Sequence, residues 1–321
     1  MQESISSPPI VSLPVEMELT IFELAALFLP KDIPKLVLVA KRVREWVEPL
    51  LYRTLVFTSE DCPALAELPS CDWDEFTEMV ATKGRDFLGR AVRNVLAPRF
   101  TDADVRAVVD ACSGLENLYL IWGSFWQHCL VRTHAPNESH ASLPSPRPVL
   151  KLRRLYGQLE YLVDVDRTDF ATTPLFAHVT HLELFSDPFE SDTLDDAVRG
   201  YERVLAMPAL THLAIGSNGD DFRAGVYEEL LGGSASTQLC LFVVLLDGVA
   251  LIESITPPRA LTRDPRFVVN RPTDVRKSAA DWQYGCLRAE DYWARAERFV
   301  AQRRAGEIPE NEYFLPSSSS H

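Results

Sequence analysis

No cysteine pair in this chain has CxxC spacing. Cys62, Cys71, Cys112, Cys129, Cys240 and Cys286 are scattered, which removes zinc-ribbon and thioredoxin-like readings. An even count in a chain this long does not make a disulfide framework, and reduced, mostly buried thiols are expected. Long apolar runs are also missing. The longest, Leu239–Leu246, falls far short of the roughly 20 residues a membrane-spanning helix needs. The opening MQESISSPPI has neither a basic flank nor an apolar core, so no signal peptide is expected. GxSxG, Walker, GxGxxG and HExxH motifs are all absent, which leaves the common hydrolase, nucleotide and zincin chemistries without a signature. Positive charge is in short supply, with 32 Lys and Arg against 46 Asp and Glu and a net charge of −14. An acidic surface repels phosphate, so nucleic acid and anionic membrane are poor partners and a basic or neutral protein suits better. Together these absences lead to an expected cytoplasmic or nuclear location.

What is present is ordinary globular composition, 46% hydrophobic and 24% charged over 321 residues, enough for two or three domains. The stretch 13–57 organises the N-terminal part. Leu13-Pro14 sets an extended entry and a helix start, and Glu16 and Glu18 suit the positive end of a helix dipole. Leu19, Phe22, Ala26 and Leu29 recur at helical steps, Ile21 and Leu24 widen the stripe, and Pro30 ends it. A second run places Leu36, Val39, Val43, Trp46 and Leu50 on one face, with Pro49 as its stop. Six acids balance six bases within 13–57, so all excess negative charge lies elsewhere. Two helices this short make a small core, so such a unit either packs on the rest of the chain or has a partner.

These residues resemble an F-box. The resemblance rests on Leu13-Pro14, Glu16, Ile21-Phe22, a Pro-marked loop, Leu36, Leu38-Val39, Lys41-Arg42, Val43 and Trp46. Pro49-Leu50-Leu51-Tyr52-Arg53 looks like the fungal branch of that family, as do Asp264–Val269 and Tyr292–Glu297 later in the chain. Met17 stands where Ile or Leu is commoner, and Ala40 near the usual Cys or Ser. The resemblance implies docking on a Skp-type adaptor, which in turn holds a cullin–RING ubiquitin ligase. It further implies adaptor contacts by Leu13, Pro14, Glu16, Ile21, Phe22, Leu36, Val39, Val43 and Trp46, no cofactor, and no catalytic residue in this chain. A plain helical hairpin is the alternative, since apolar stripes are usually core.

Beyond a disordered tail at 1–12 and the box at 13–57, residues 58–90 read as a linker with a helix near Trp73–Thr82. From 91 to 312 the chain aligns on itself as an irregular L-x-x-L-x-L pattern. Its anchors are Val95, Leu118, Leu155, Leu182, Leu213, Phe242 and Val268, spaced 23, 37, 27, 31, 29 and 26 residues. Regular leucine-rich repeats run about 20–29 residues. Helical segments alternate with the anchors: one capped at Thr101, one starting at Ser191, and one from Phe222 to Leu231 stopped by Gly232-Gly233. The expected fold is α/β: a helical box, then a leucine-rich-repeat-like solenoid of parallel strands and outer helices. A surface loop is inserted at 128–148, a helix at Ala289–Arg304 caps the end, and 313–321 is a tail. A non-repeating α/β domain is the alternative.

Strand alternation places the anchors inside and their neighbours on a concave face. The expected target-binding residues are Tyr119, Ile121, Trp122, Trp126, Arg154, Tyr156, His181, Glu183, Phe185 and His212, rich in the aromatic and Arg types that anchor interfaces. Trp122 and Trp126 packing beneath the inserted loop is an equal reading. His181 and His212, with His178, have the look of metal ligands. No carboxylate or Cys stands at matching spacing, so solvent-facing strand histidines and no metal are expected. Asp164–Asp169 has a faint calcium-loop look but lacks the turn Gly and closing Glu. The expected function is a substrate-recruiting ubiquitin-ligase adaptor acting by proximity. The rivals are a non-catalytic repeat scaffold and, more weakly, a cryptic enzyme.

Overall fold

The computed structural model describes residues 13–58, 63–65, 68–98, 100–121, 150–190, 192–217, 222–246, 257–271 and 275–316. The chain divides into two compact units, Met1–Tyr52 and Arg53–His321. The first is helical: α1 (Val15–Phe28), α2 (Ile33–Leu36) and α3 (Lys41–Leu51). Pro14 precedes α1 with an extended backbone (φ −56°, ψ 142°), and Glu16 and Glu18 fill its first turn. The second apolar run is not one helix. Pro34 opens the single turn of α2, and Ala40 is extended (φ −161°, ψ 155°) before α3 begins. Val39 therefore leaves the face it was expected to share with Val43. Pro49 lies inside α3 rather than stopping it. The core is Ala26, Ile33, Val43 and Val47, with Phe22, Leu36, Val37, Trp46 and Leu50 packed around it. Arg42 reaches across to Glu18 at 2.7 Å.

The second unit is mixed α/β around a sheet that has nine strands among the described residues. In chain order its elements are β1 (Thr54–Phe57), β2 (Ser70–Cys71), α4 (Trp73–Lys83), α5 (Arg85–Ala91), β3 (Asn94–Pro98), α6 (Asp102–Ala111), β4 (Asn117–Ile121), β5 (Arg154–Gly157) and α7 (Leu159–Leu162). There follow β6 (His181–Leu184), α8 (Leu194–Leu205), β7 (His212–Ser217), α9 (Ala224–Gly232), β8 (Leu241–Leu246), α10 (Arg259–Arg263), β9 (Phe267–Asn270), α11 (Val275–Arg288) and α12 (Tyr292–Arg304). The strand order is β2-β1-β3-β4-β5-β6-β7-β8-β9 and every pairing is parallel. Parallel neighbours need a crossover connection, and the intervening helices supply it. Caps read from sequence set several helix starts. Thr101 and Asp104 form a capping box on α6, and Asp72 and Glu75 form one on α4. Thr193, rather than Ser191, caps α8.

Six of the seven anchors fall in register: Val95, Leu118, Leu155, Leu182, Leu213 and Phe242 pair in sequence across the sheet. The seventh is off by one. Phe242 pairs with Phe267, and Val268 pairs with Val243 on the opposite face, because a one-residue shift reverses every side chain. The sheet also begins earlier than expected: Leu55, read as part of the helical box, pairs with Val95. The end is ordered too. Phe314 bridges to Val269, and Leu315 is buried, where a tail from 313 was expected.

The largest departure is a roof. One face of the sheet carries the anchors and packs on the crossover helices, as in the contact of Tyr227 on α9 with Phe242 (ring centroids 5.2 Å). The other face is covered by α11 and α12. Leu96, Tyr119, Tyr156, Ala214, Val243 and Val268 join Ala279, Trp282, Trp293, Ala296 and Phe299 in one apolar cluster. The C-terminal helix thus lies on the inner face instead of closing the last strand's edge, and α11 has no counterpart in the expected elements. Sheets covered on both faces have near-continuous apolar strands, and TLVF, NVLAP and LFVVLL are of that kind, buried along almost their whole length.

Candidate functional site

Among the described residues, two places have the chemistry of a site. The first is the surface of the N-terminal unit. Among the described residues, thirteen large hydrophobic side chains are exposed, and ten of them lie between Leu13 and Val39. Val15, Met17, Ile21, Leu24, Leu27 and Phe28 are all on α1, and Phe28 is 78% exposed. Leu38 (83%) and Val39 (60%) stand out from the turn between α2 and α3. The reason is local. α1 turns only Ala26 fully inward, so an apolar helix with one buried side chain leaves the rest of its stripe outside. Scattered surface hydrophobics need no explanation, but contiguous ones mark interaction surfaces.

The nine residues expected to contact an adaptor divide accordingly. Leu13, Pro14, Glu16, Ile21 and Val39 are exposed, Phe22, Leu36 and Trp46 are half-buried, and Val43 is buried. Val43 and the half-buried three belong to the unit's own core or its margin, so their first duty is to hold the helices together.

The second place is the covered face of the sheet. The first residues of β1 and of β3 to β7 form one polar row: Thr54, Asn94, Asn117, Arg154, His181 and His212. Asn94 donates to the Thr54 hydroxyl at 2.8 Å, and Asn117 donates to Asn94 Oδ1. Arg154 pairs with Asp291, whose other oxygen accepts from the Ala294 amide at 3.0 Å and caps α12. One residue further in, Tyr292 donates its hydroxyl to Glu183 at 2.7 Å. Asp281 accepts the Tyr292 amide at 2.6 Å and Arg295 at 2.8 Å. Burial pushes the Glu183 carboxyl up to about 8, against the lowering effect of the Tyr292 bond and with Asp281 and Asp291 adding to the rise. Glu183 is therefore largely neutral at pH 7 and fits the roof without an unpaired buried charge.

These contacts correct the expected target-binding face. Tyr119, Ile121, Tyr156, Glu183 and His212 are buried, and Arg154, His181 and Phe185 are half-buried. They bind this chain's own C-terminal helices: Tyr119 packs on Trp282 (5.8 Å), and His181 and His212 on Trp293 (5.3 and 5.8 Å). Trp122, Trp126 and the inserted loop 128–148 lie outside the described residues. Asp164–Asp169 is closed on itself, with Asp169 accepting from Ala171 and Thr172 and Arg203 bonding the carbonyls of Val165, Asp166 and Thr168.

The histidines are not solvent-facing. Their rings stack at 4.0 Å and 7°, and His212 Nε2 lies 3.0 Å from Glu297 on α12. Burial, then the neighbouring charges of His212 and Arg154, hold His181 down at about 2. Burial and Arg154 hold His212 at about 4. His181, His212 and Glu297 place one ligand atom each within 4.8 Å of one another. Sequence spacing missed Glu297 because it arrives from a helix that folds back over the sheet. Elsewhere, among the described residues, Cys71 and Cys112 are buried thiols held up at about 12 by burial, and are inert on that account. Comparisons with protein-family models, curated proteins and solved structures give no match to this chain.

Proposed function

We propose that this chain is a substrate-recruiting adaptor of a cullin–RING ubiquitin ligase, its N-terminal helices docking as an F-box on a Skp-type adaptor and its larger unit, read as a leucine-rich-repeat-like solenoid with a roof, engaging a target protein. The observation that carries the reading is the exposed apolar surface of α1 and the Leu38-Val39 turn. A helical unit that only braced a scaffold would turn this stripe inward. The exposed residues include Leu13, Pro14, Ile21 and Val39 from the F-box resemblance, while Val43 holds the core behind them. Such a partner gives the stripe the burial that the unit's own core does not. Work in this class is done by proximity, holding a target beside a charged ubiquitin carrier, and needs neither cofactor nor catalytic residue. With the inner face covered, the target surface belongs to other parts of the larger unit, whose surplus of acid suits a basic or neutral protein.

The test is co-purification of the full chain with a Skp-type adaptor. Ile21→Asp combined with Val39→Asp alters exposed positions and spares Phe22 and Val43, so the helices keep their circular-dichroism signal. Binding by the native chain and loss in the double variant support the reading. A folded native chain that binds no Skp-type adaptor leaves a scaffold and removes the ligase role.

A further inference from the structure

His181 and His212 hold the first places of neighbouring parallel strands, each preceded by a threonine. Thr180 Oγ1 donates to the Arg153 carbonyl at 3.1 Å, and Thr211 Oγ1 donates to the Thr180 carbonyl at 3.3 Å. Each hydroxyl has spent its one proton. The ring Nδ1 atoms, 2.9 Å from Thr180 Oγ1 and 2.8 Å from Thr211 Oγ1, are then the donors. This hydrogen-bond pattern assigns the ring hydrogen of each neutral histidine to Nδ1 and leaves a lone pair at Nε2.

That assignment leaves two acceptors without hydrogen. His181 Nε2 is buried and has no hydrogen-bond partner among the described residues. His212 Nε2 faces Glu297 Oε1 at 3.0 Å, a lone pair set against a carboxylate. Most buried side-chain acceptors in native proteins are paired, and two acceptors facing one another repel. A cation between them removes both faults. A metal ion takes neutral imidazole directly.

We propose that His181 Nε2, His212 Nε2 and Glu297 bind one divalent transition-metal ion of the zinc class, with solvent in the remaining coordination place. Two nitrogens and one carboxylate form a donor set that suits zinc or cobalt(II) and ill suits magnesium or calcium, which take mostly oxygen. Ligand atoms within 4.8 Å close onto metal bonds of about 2.0–2.2 Å by modest side-chain rotation. Glu297 is free to make that rotation, since its side chain is 53% exposed, and it gives the ion a route from solvent. The threonine hydroxyls at Nδ1 fix the orientation of both rings, as a hydrogen bond to the second ring nitrogen does for ligating histidines. Trp293 stands edge-on to both rings (84° and 89°) and limits their movement.

The experiment titrates the chelator-treated full chain with zinc by calorimetry and with cobalt(II) by visible absorption. Native protein gives one saturable site and a cobalt ligand-field spectrum of nitrogen and oxygen ligands. Glu297→Gln changes an exposed side chain and leaves the roof intact. It lowers zinc affinity at least tenfold, as does His181→Gln checked for native circular dichroism, and magnesium does not compete. Absence of a saturable zinc site overturns the proposal. So does unchanged affinity in Glu297→Gln, which would place any zinc elsewhere, such as the exposed Cys240.

Discussion

Replacing Glu183 by Gln should remove a pH dependence that the roof builds into folding. The carboxyl sits under α12, bonded to the Tyr292 hydroxyl, with Asp281 and Asp291 nearby and Arg154 bound to Asp291. In the folded chain it titrates at about 8 against an ordinary value of 4.5. Between those values the folded state holds a proton that the unfolded state has lost. Its contribution to stability is therefore fully present below pH 4.5, falls as pH rises, and reaches its floor above pH 8. From pH 6.5 to pH 8.5 the native chain should lose about 2 kcal/mol relative to the variant, at about 1.4 kcal/mol per unit of pKa difference. The histidines do not interfere, since their depressed values of about 2 and about 4 are common to native chain and variant and cancel in the difference. Gln keeps an acceptor for the Tyr292 hydroxyl, so the variant should match or exceed the native chain at pH 8.5. Urea unfolding of both proteins at the two pH values is the assay. A native-to-variant difference that stays constant with pH would show that Glu183 is ionised under the roof and that the polar network has been misread.

Below pH 6.5 the sign reverses: the two depressed histidines outweigh Glu183, and stability should fall from pH 6.5 to 4.5, which the same unfolding series measures. Arg303→Met should lower stability by about 2–4 kcal/mol, because buried carbonyls lose their donor. The guanidinium donates to the carbonyls of Thr262, Phe267 and Glu310 at 2.6, 2.8 and 2.7 Å and ties the end of α12 to β9; thermal unfolding reads the loss. Gly216→Ala should cost about 1–3 kcal/mol by overpacking, because the added Cβ would lie 2.3 Å from the Phe185 carbonyl oxygen; a melting temperature equal to native would contradict the strand spacing. Thr193→Ala should cost about 1 kcal/mol through the lost cap on α8, seen as a shift in the urea midpoint.

The sheet was legible because its register is written in periodic leucines. Val95 through Phe242 line up without error. The pattern failed at Val268, where three apolar residues in a row, Phe267 to Val269, give no parity, and tertiary pairing put Phe267 on the anchor face. Strand periodicity also says which side chains share a face but not what lies over it. The aromatic and Arg side chains beside the anchors looked like a binding surface. The contrary signal was present in Leu96, Ala214, Val243 and Val268, apolar where an open face would be polar. The roof's Trp282 and Trp293 sit in helices otherwise rich in charge, so their partners were settled only by folding. Glu297 joins His181 and His212 for the same non-local reason. In the N-terminal unit the helical content was legible. The split at 37–40 was not, because Ala40 makes no side-chain cap that could announce the start of α3.

In the proposed function, a Skp-type adaptor covers the exposed stripe of α1. The most direct measurement is calorimetric titration of the full chain with a purified adaptor of that type, alongside Ile21→Asp. The account predicts one-to-one saturable binding, weakened in the variant by at least about 2 kcal/mol, or roughly thirtyfold, as expected for a charge placed in a buried apolar contact. A native chain that gives no heat and no complex, or a variant that binds as tightly as native, would contradict it.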